Sequence, residues 1–381
     1  MLNNFCFQNP TKLIMGKGMI AQLSKEIPAD KKIMITFGGG SVKRNGVYEQ
    51  VKEALKNHNT VEFWGIEPNP AIETLREAIA LGKAEKVDFL LAVGGGSVID
   101  GTKLISAGLL YDGDAWDLVK KGKADTTVPL GTVLTIPATG SEMNDGAVIS
   151  CKETKEKYAF FSNFPKFSIL DPEVTFSLPD YQIACGIADT FVHVMEQYLT
   201  KAGESRLMDR WAESILQTLV EIAPKIKENK QDYQNMADFM MCATMALNGF
   251  IALGVSQDWA THMIGHEVTA LTGLTHGHTL AIILPGTMDV LRQQKSEKIM
   301  QVGARVFGVS SGTHDFRINE TIRKTREFFN SLGLTTSLSE NNIGREVIDE
   351  IEHRFNERDV HFGEDGLVTG TVAKEILNKV Y

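Results

Sequence analysis

The sequence predicts an α/β N-terminal domain with a Rossmann-like parallel sheet, followed by an all-α C-terminal domain. Three observations carry that reading. Two apolar runs, 31–37 and 87–93, each end on Gly-Gly-Gly-Ser, at 38–41 and 94–97. Helical patterns stand between and after them, at 47–58 and 74–86 and from about Val98, which is the strand–helix–strand rhythm of a parallel sheet. Beyond about residue 180 strand signals nearly vanish. Amphipathic stretches then follow at 183–199, 205–228, 235–253, 258–272, 280–293, 296–307, 316–331, 343–356 and 371–380. The domains are therefore expected at 1–180 and 181–381, with the two prolines of LDPEVTFSLPD marking the change.

Each element has a local reason. Apolar runs as continuous as KKIMITF and VDFLLAV suit strands covered on both faces. A glycine-rich turn between strand and helix lets the backbone approach a ligand, and the helix start then favours a phosphate. Of the two copies, Gly94, Gly95, Gly96 and Ser97 are the better pyrophosphate candidate, with Asp100 expected in the first helical turn, where it would also stabilise the helix start. The other copy offers Gly39, Gly40, Ser41 and Lys43 with no carboxylate. That leaves room for a 2′-phosphate, so NADP(H) is favoured over NAD(H). Gly16-Lys17-Gly18 also fits a dinucleotide fingerprint, but no acid follows on a strand end about 20 residues later, so it reads as a plain strand–turn–helix opening. Thr135 and Thr139 lie in a third strand–loop element, LGTVLTIPATGSE, and Lys157 in a charged run that reads as a loop.

At 381 residues, with 43% hydrophobic and 23% charged residues, the chain can bury two cores. A formal charge of −9 argues against nucleic acid or an anionic membrane as partner. Four scattered cysteines without C-x-x-C, and no visible signal peptide, lead to a cytoplasmic expectation. The uncharged stretch 239–257 reads as a buried helix, not a membrane span, because Asn248, Gly249 and Ser256 interrupt it.

The chemistry concentrates in 189–278. Asp189 and His193 are four apart, as are His262 and His266, and His276 follows ten residues later. Positions i and i+4 share a helical face, and a carboxylate with imidazoles suits a divalent transition metal. Position 263 is Met, so the H-E-x-x-H of a zinc protease is missing. No cysteine accompanies these motifs, which argues against a thiolate-bound structural zinc.

Taken together, NPTKLIMGKG, ITFGGGSVKRNGVY, LLAVGGGSVIDGTK, LTIPATGSEMN, GIADTFVHVMEQY, QDWATHMIGHE and HGHTLAIILP resemble the iron-containing (group III) alcohol dehydrogenases, in their butanol dehydrogenase and NADPH-dependent aldehyde reductase branch. The resemblance implies a dehydroquinate synthase-like fold and a homodimer. It implies one Fe²⁺ or Zn²⁺ held by Asp189, His193, His262 and His276. His266 would relay a proton beside the ion, and Asp100 would join it at the nicotinamide end. Gly94 to Ser97, Thr135, Thr139 and Lys157 would contact the cofactor, and Gly39, Gly40, Ser41 and Lys43 would surround the adenosine ribose. His278 would either line the substrate pocket or stand by, satisfied elsewhere. The implied reaction is reversible hydride transfer between nicotinamide and a small aldehyde or primary alcohol. Three alternatives weigh against it: a dehydroquinate-synthase-like lyase, disfavoured because no dense basic cluster accompanies the metal residues, a metal-dependent hydrolase with structural glycine turns, and a non-catalytic nucleotide-binding regulator.

Overall fold

The computed structural model describes residues 2–381. The chain folds as two compact units. One comprises Gln8–Leu178 with Gln231–Thr244. The other comprises residues 2–7, Pro179–Lys230 and Met245–Tyr381.

The first unit holds strands β1 (Lys12–Met15), β2 (Lys32–Phe37), β3 (Asn59–Phe63), β4 (Phe89–Gly94), β5 (Leu130–Leu134), β6 (Gly146–Cys151), β7 (Glu156–Phe161) and β8 (Phe167–Leu170). Six of them form one parallel sheet in the order β1-β8-β5-β4-β2-β3. Met34 of β2 packs into one core with Leu90, Ala92 and Leu130, while its neighbours Ile33 and Ile35 pack into another with Leu91, Val93 and Ile169. Burial on both faces is why the strands read as unbroken apolar runs. β6 and β7 make a separate antiparallel hairpin. Lys157 therefore sits on a strand and not in a loop, and the charges of 152–155 form the hairpin's tip, where Lys155 takes a positive φ of 52°.

From β2 the chain crosses outward to β3, and from β4 it moves the opposite way to β5. The carboxyl ends of β2 and β4 thus flank the sheet's topological switch point, where open α/β sheets bind ligands. Both Gly-Gly-Gly-Ser turns stand there. Gly40, at φ 93°, opens the short helix Ser41–Arg44. The second turn winds directly into the helix Gly96–Gly108, two residues earlier than expected, so Asp100 is the fifth helical residue rather than part of the first turn. Packing explains the early start. A Cβ on Gly96 would lie 2.3 Å from Thr139 Oγ1, and one on Gly94 would lie 2.5 Å from Val98 Cγ2. The Gly16–Gly18 segment is a strand–turn–helix opening, with the Gly18 N–H donating to Asp171 at 2.6 Å before a single turn of 3-10 helix.

The second unit is helical, built from Asp180–Tyr198, Arg206–Glu228, Ala260–Thr272, His276–Val290, Ser296–Val306, His314–Ser331, Arg345–Glu357 and Gly370–Lys379. Its core includes Ile264, Val268, Ile282, Ile283, Ile351 and Ile376. One helix of the C-terminal half, Tyr233–Ala246, belongs almost wholly to the first unit. Met240 lies in the sheet's core, and Thr244 donates to Glu142 at 2.6 Å. This helix ends seven residues short of the expected 253. Asn248 accepts the Phe250 N–H, and Gly249 takes φ 85°, so local bonding to an asparagine side chain replaces the next helical turn. Among the described residues no helix is long and apolar enough to cross a membrane.

The helix His276–Val290 begins four residues ahead of the expected 280 and packs on Asp180–Tyr198. Gly277 permits that contact, since a Cβ there would fall 2.1 Å from the Cys185 carbonyl oxygen. Gly277→Ala is expected to destabilise the protein by about 1–3 kcal/mol through overpacking against backbone that cannot yield. Urea unfolding checks this, and an unchanged midpoint would contradict the contact.

Candidate active site

Asp189, His193 and Glu196 lie at i, i+4 and i+7 of the helix Asp180–Tyr198, on one buried face. His262 and His266 lie one turn apart on Ala260–Thr272, and His276 is the first residue of the next helix. The folding of these helices brings the groups together. One ligand atom each of Asp189, His262 and His276 lie within 4.8 Å of one another, a set that can hold a metal ion. His193 lies outside that set but borders two of its members, at the edge of the candidate ring. Its Nδ1 is 3.6 Å from Asp189 Oδ1, and His262 Nε2 is 3.7 Å from the same oxygen. Those separations exceed hydrogen-bond reach, yet they match ligands about 2.1 Å from a tetrahedral ion, which stand about 3.4 Å apart. His193 Nδ1 and His262 Nε2 are buried and make no hydrogen bond. Buried polar atoms are otherwise nearly always bonded, so these two nitrogens fit a cation. His276, unlike Asp189 and His262, is only half-buried, and it marks the accessible side.

The electrostatics suit the same role. Burial holds His193 down at about 4, against the pull of Asp189, so its ring stays neutral. Burial also pulls His262 down, but the Glu196 and Asp189 carboxylates outweigh it and hold the ring up at about 9, so an ion binding there displaces a proton and takes over the attraction of the two carboxylates. Cys185 does stand one turn before Asp189, contrary to the expectation that no thiol is near. Burial pushes it up to about 12, and its sulfur is not among the ligand atoms that converge with Asp189.

Around the ring, the structure places three residues that the motifs left open or missed. His266 is buried with its ring centroid 4.9 Å from that of His276. His278 faces elsewhere, bonded to Tyr181 Oη at 3.1 Å and the Thr335 carbonyl at 3.0 Å, and so is a satisfied bystander. Glu196 was not singled out from sequence, although its spacing from Asp189 and His193 was a visible signal. It contacts His262 Nδ1 through Oε2 and accepts the Thr261 N–H through Oε1 at 2.6 Å. Trp259, at φ 69°, sits edge-on to His262 with ring centroids 5.3 Å apart. Asp258 holds that strained position, accepting the Ala260 N–H at 3.0 Å and pairing with Lys295 at 2.7 Å.

In the first unit, the Gly39 and Gly40 positions open onto space with no atom within 4 Å of an added Cβ. Lys43 lies beside them with Nζ 4.0 Å from the Trp64 ring centroid, and Trp64 stacks on Phe37. Gly95 caps the helix Gly96–Gly108 in extended backbone, and the Thr139 hydroxyl rests against Gly96. The Thr135 N–H donates to the Gly94 carbonyl at 3.0 Å, and Lys157 Nζ to Asn69 at 3.0 Å. Asp100 looks inward, accepting from Ser141 Oγ at 2.5 Å and the Val148 N–H at 2.9 Å. Burial raises its carboxyl, and Lys103, itself lowered by burial to about 8, partly offsets that. Lys103 also donates to Asn144 Oδ1 at 3.0 Å and the Gly146 carbonyl at 2.7 Å. The pair thereby pins the 141–148 loop to the helix that starts at the glycine turn.

The profile of the iron-containing alcohol dehydrogenases matches residues 10–172, and that of the Fe-containing alcohol dehydrogenase family C-terminal region matches 183–379. The chain belongs to this family, and it is an oxidoreductase of the alcohol dehydrogenase and aldehyde reductase class. It is 47% identical to the NADPH-dependent aldehyde reductase YqhD of Escherichia coli, over 98% of this chain and 99% of that one. It is 44% identical to the probable NADH-dependent butanol dehydrogenase 1 of Bacillus subtilis, over 92% of each. The crystal structure of Escherichia coli K-12 YqhD superposes with a TM-score of 0.98, covering 100% of this chain and 99% of that one at 46% identity.

The His193 burial carries a pH signature. Its folded value of about 4 lies below the ordinary 6.5, so between those pH values the unfolded chain binds a proton that the folded chain does not. Stability then falls as pH drops through that window. Metal-stripped protein is expected to lose stability relative to a metal-stripped His193→Gln variant on going from pH 6.5 towards 4. Paired thermal melts test it, and parallel curves would contradict the buried neutral ring.

Proposed function

We propose that the chain reduces small aliphatic aldehydes to primary alcohols with NADPH, and runs the reverse with NADP, on one Fe²⁺ or Zn²⁺ held by Asp189, His193, His262 and His276. The observation that carries this is the buried convergence of one carboxylate oxygen and the imidazole nitrogens, two of them making no hydrogen bond. The relatives' names support the reaction but divide on the cofactor, an aldehyde reductase using NADPH and butanol dehydrogenases using NADH. The NADPH preference therefore rests on this chain's own turn after β2, which offers glycines, Ser41 and Lys43 and no acid to claim the ribose hydroxyls.

When bound, the ion supplies Lewis acidity towards a carbonyl oxygen and the reduced nicotinamide supplies the hydride. The residues do the rest. The switch-point turns at Gly39–Ser41 and Gly94–Ser97 cradle the dinucleotide, with the dipole of Gly96–Gly108 facing its phosphates. Lys43 exchanges the Trp64 face for the 2′-phosphate, and Thr135, Thr139 and Lys157 contact the cofactor. Asp100 and Lys103 hold the loop that carries Ser141, so Asp100 acts by positioning. His266 hands a proton to the product oxygen, and one aldehyde, one NADPH and one proton become one alcohol and one NADP.

Absorbance at 340 nm with butanal tests the reading, and no consumption of NADPH or NADH by metal-replete protein would sink it. His262→Ala is expected to lower turnover at least about 10³-fold and release the ion while NADPH still binds. Retained metal would contradict the ligand assignment. At Gly39 an added side chain meets no neighbour. Gly39→Asp is accordingly expected to raise KM for NADPH at least about tenfold relative to NADH, by repulsion of the 2′-phosphate. Equal effects on both cofactors would count against the assignment.

A further inference from the structure

We infer that Glu196 is the positioning residue that sets the tautomer of His262 and balances the charge of the ion. This rests on the metal reading proposed above and adds a residue to it. Glu196 is 2% exposed and stands on the same helix as Asp189 and His193. Its two oxygens have separate duties. Oε1 accepts the Thr261 N–H at 2.6 Å, and Oε2 accepts the His262 N–H at 3.2 Å and contacts His262 Nδ1. The His262 ring is thereby bonded on its Nδ1 side only. A carboxylate has no proton to give, so Nδ1 must carry a hydrogen, and Nε2 is the nitrogen that gives up its proton and presents a lone pair when an ion binds. Nε2 is the nitrogen that faces Asp189 Oδ1, 3.7 Å away. A ligand imidazole whose other nitrogen donates to a carboxylate is fixed in orientation and made more basic.

The charge count agrees. Three neutral imidazoles and Asp189 leave a divalent ion with one uncompensated positive charge in a buried setting. Glu196, one imidazole removed, supplies the second negative charge. Among the described residues no other side-chain cation is in hydrogen-bond contact with it, since its remaining bonds are to the backbone N–H groups of Thr261 and His262.

Glu196→Gln separates this role from helix capping. The amide oxygen can still accept the Thr261 N–H, but the NH₂ group then faces His262 Nδ1. It can only donate, which drives the ring proton to Nε2, the ligand position. If Glu196 merely caps the helix, the glutamine serves nearly as well. The experiment titrates metal-stripped protein with Co²⁺ and reads both affinity and the visible ligand-field spectrum. Glu196→Gln is expected to bind Co²⁺ about 10- to 100-fold more weakly with an altered spectrum. Unchanged affinity and spectrum would overturn the inference. His276→Ala, run alongside, guards the underlying reading. If it binds Co²⁺ like the wild type, the ligand set is wrong and this inference falls with it. If it loses Co²⁺ while Glu196→Gln keeps it, this inference alone fails. Should Glu196→Gln not fold, ¹⁵N-histidine NMR of the Zn²⁺-loaded wild type decides. A proton on His262 Nδ1 supports the assignment, and a proton on Nε2 refutes it.

Discussion

A carboxylate and three imidazoles face one another among apolar side chains, and much of the helical unit follows from that constraint. Ionic and polar groups sealed from water cost several kcal/mol unless they are paired. Here the pairing is incomplete within the protein, because His193 Nδ1 and His262 Nε2 make no hydrogen bond. The helices nonetheless hold these atoms close. Gly277 lets the helix of His276 approach the Cys185 backbone, and Asp258 keeps Trp259 in a left-handed conformation ahead of the helix of His262. Packing that tolerates strain and unmet polar atoms in one place is the mark of a site shaped for a charged guest.

The sheet unit obeys a different constraint. Its two glycine turns differ in how tightly their neighbours hold them. Gly94 and Gly96 are required by neighbours, since Val98 and Thr139 occupy the space a side chain would need. Gly39 and Gly40 meet nothing at their Cβ positions, so packing gives no reason for their smallness. The turn after β4 is thus locked by the fold. In the turn after β2, Gly40 is held to glycine by its φ of 93°, while Gly39 leaves open space near Lys43 where a side chain can be added without disturbing the core.

What could be read from the chain alone follows the range of the forces involved. Continuous apolar runs and 3.6-residue periodicity are local, and they located β1, β2, β4 and β5 and all nine long helices of the C-terminal half, while the short strands β3 and β8 gave no such signal. Ends depended on longer-range contacts. The helix from Tyr233 stopped early because Asn248 bonds its own backbone, and that from His276 began early because Gly277 packs on a distant helix. The β6–β7 hairpin escaped notice because its turn is a run of charges with no glycine. At the site, i, i+4 spacing made the metal candidates visible. Nothing in the sequence could show that His278, two residues from His276, bonds Tyr181 and Thr335 instead. Glu196 was legible in principle as the third member of a one-face series, but only its contact with His262 gives the spacing a meaning.

The donor set also bears on which ion the site selects. Imidazole and carboxylate are borderline to hard donors, and Cys185, the one thiol within a turn, is kept protonated by its apolar surroundings. Without a thiolate, the site lacks the soft ligand that most strongly discriminates for zinc, and intrinsic affinity then separates Fe²⁺ and Zn²⁺ only by their general order. On the proposed assignment, a second buried carboxylate at Glu196 would lower the net charge of a divalent centre to zero without occupying a coordination position. That would keep the half-buried side at His276 available to a neutral carbonyl rather than to an anion drawn in by uncompensated charge, which would suit an uncharged aldehyde.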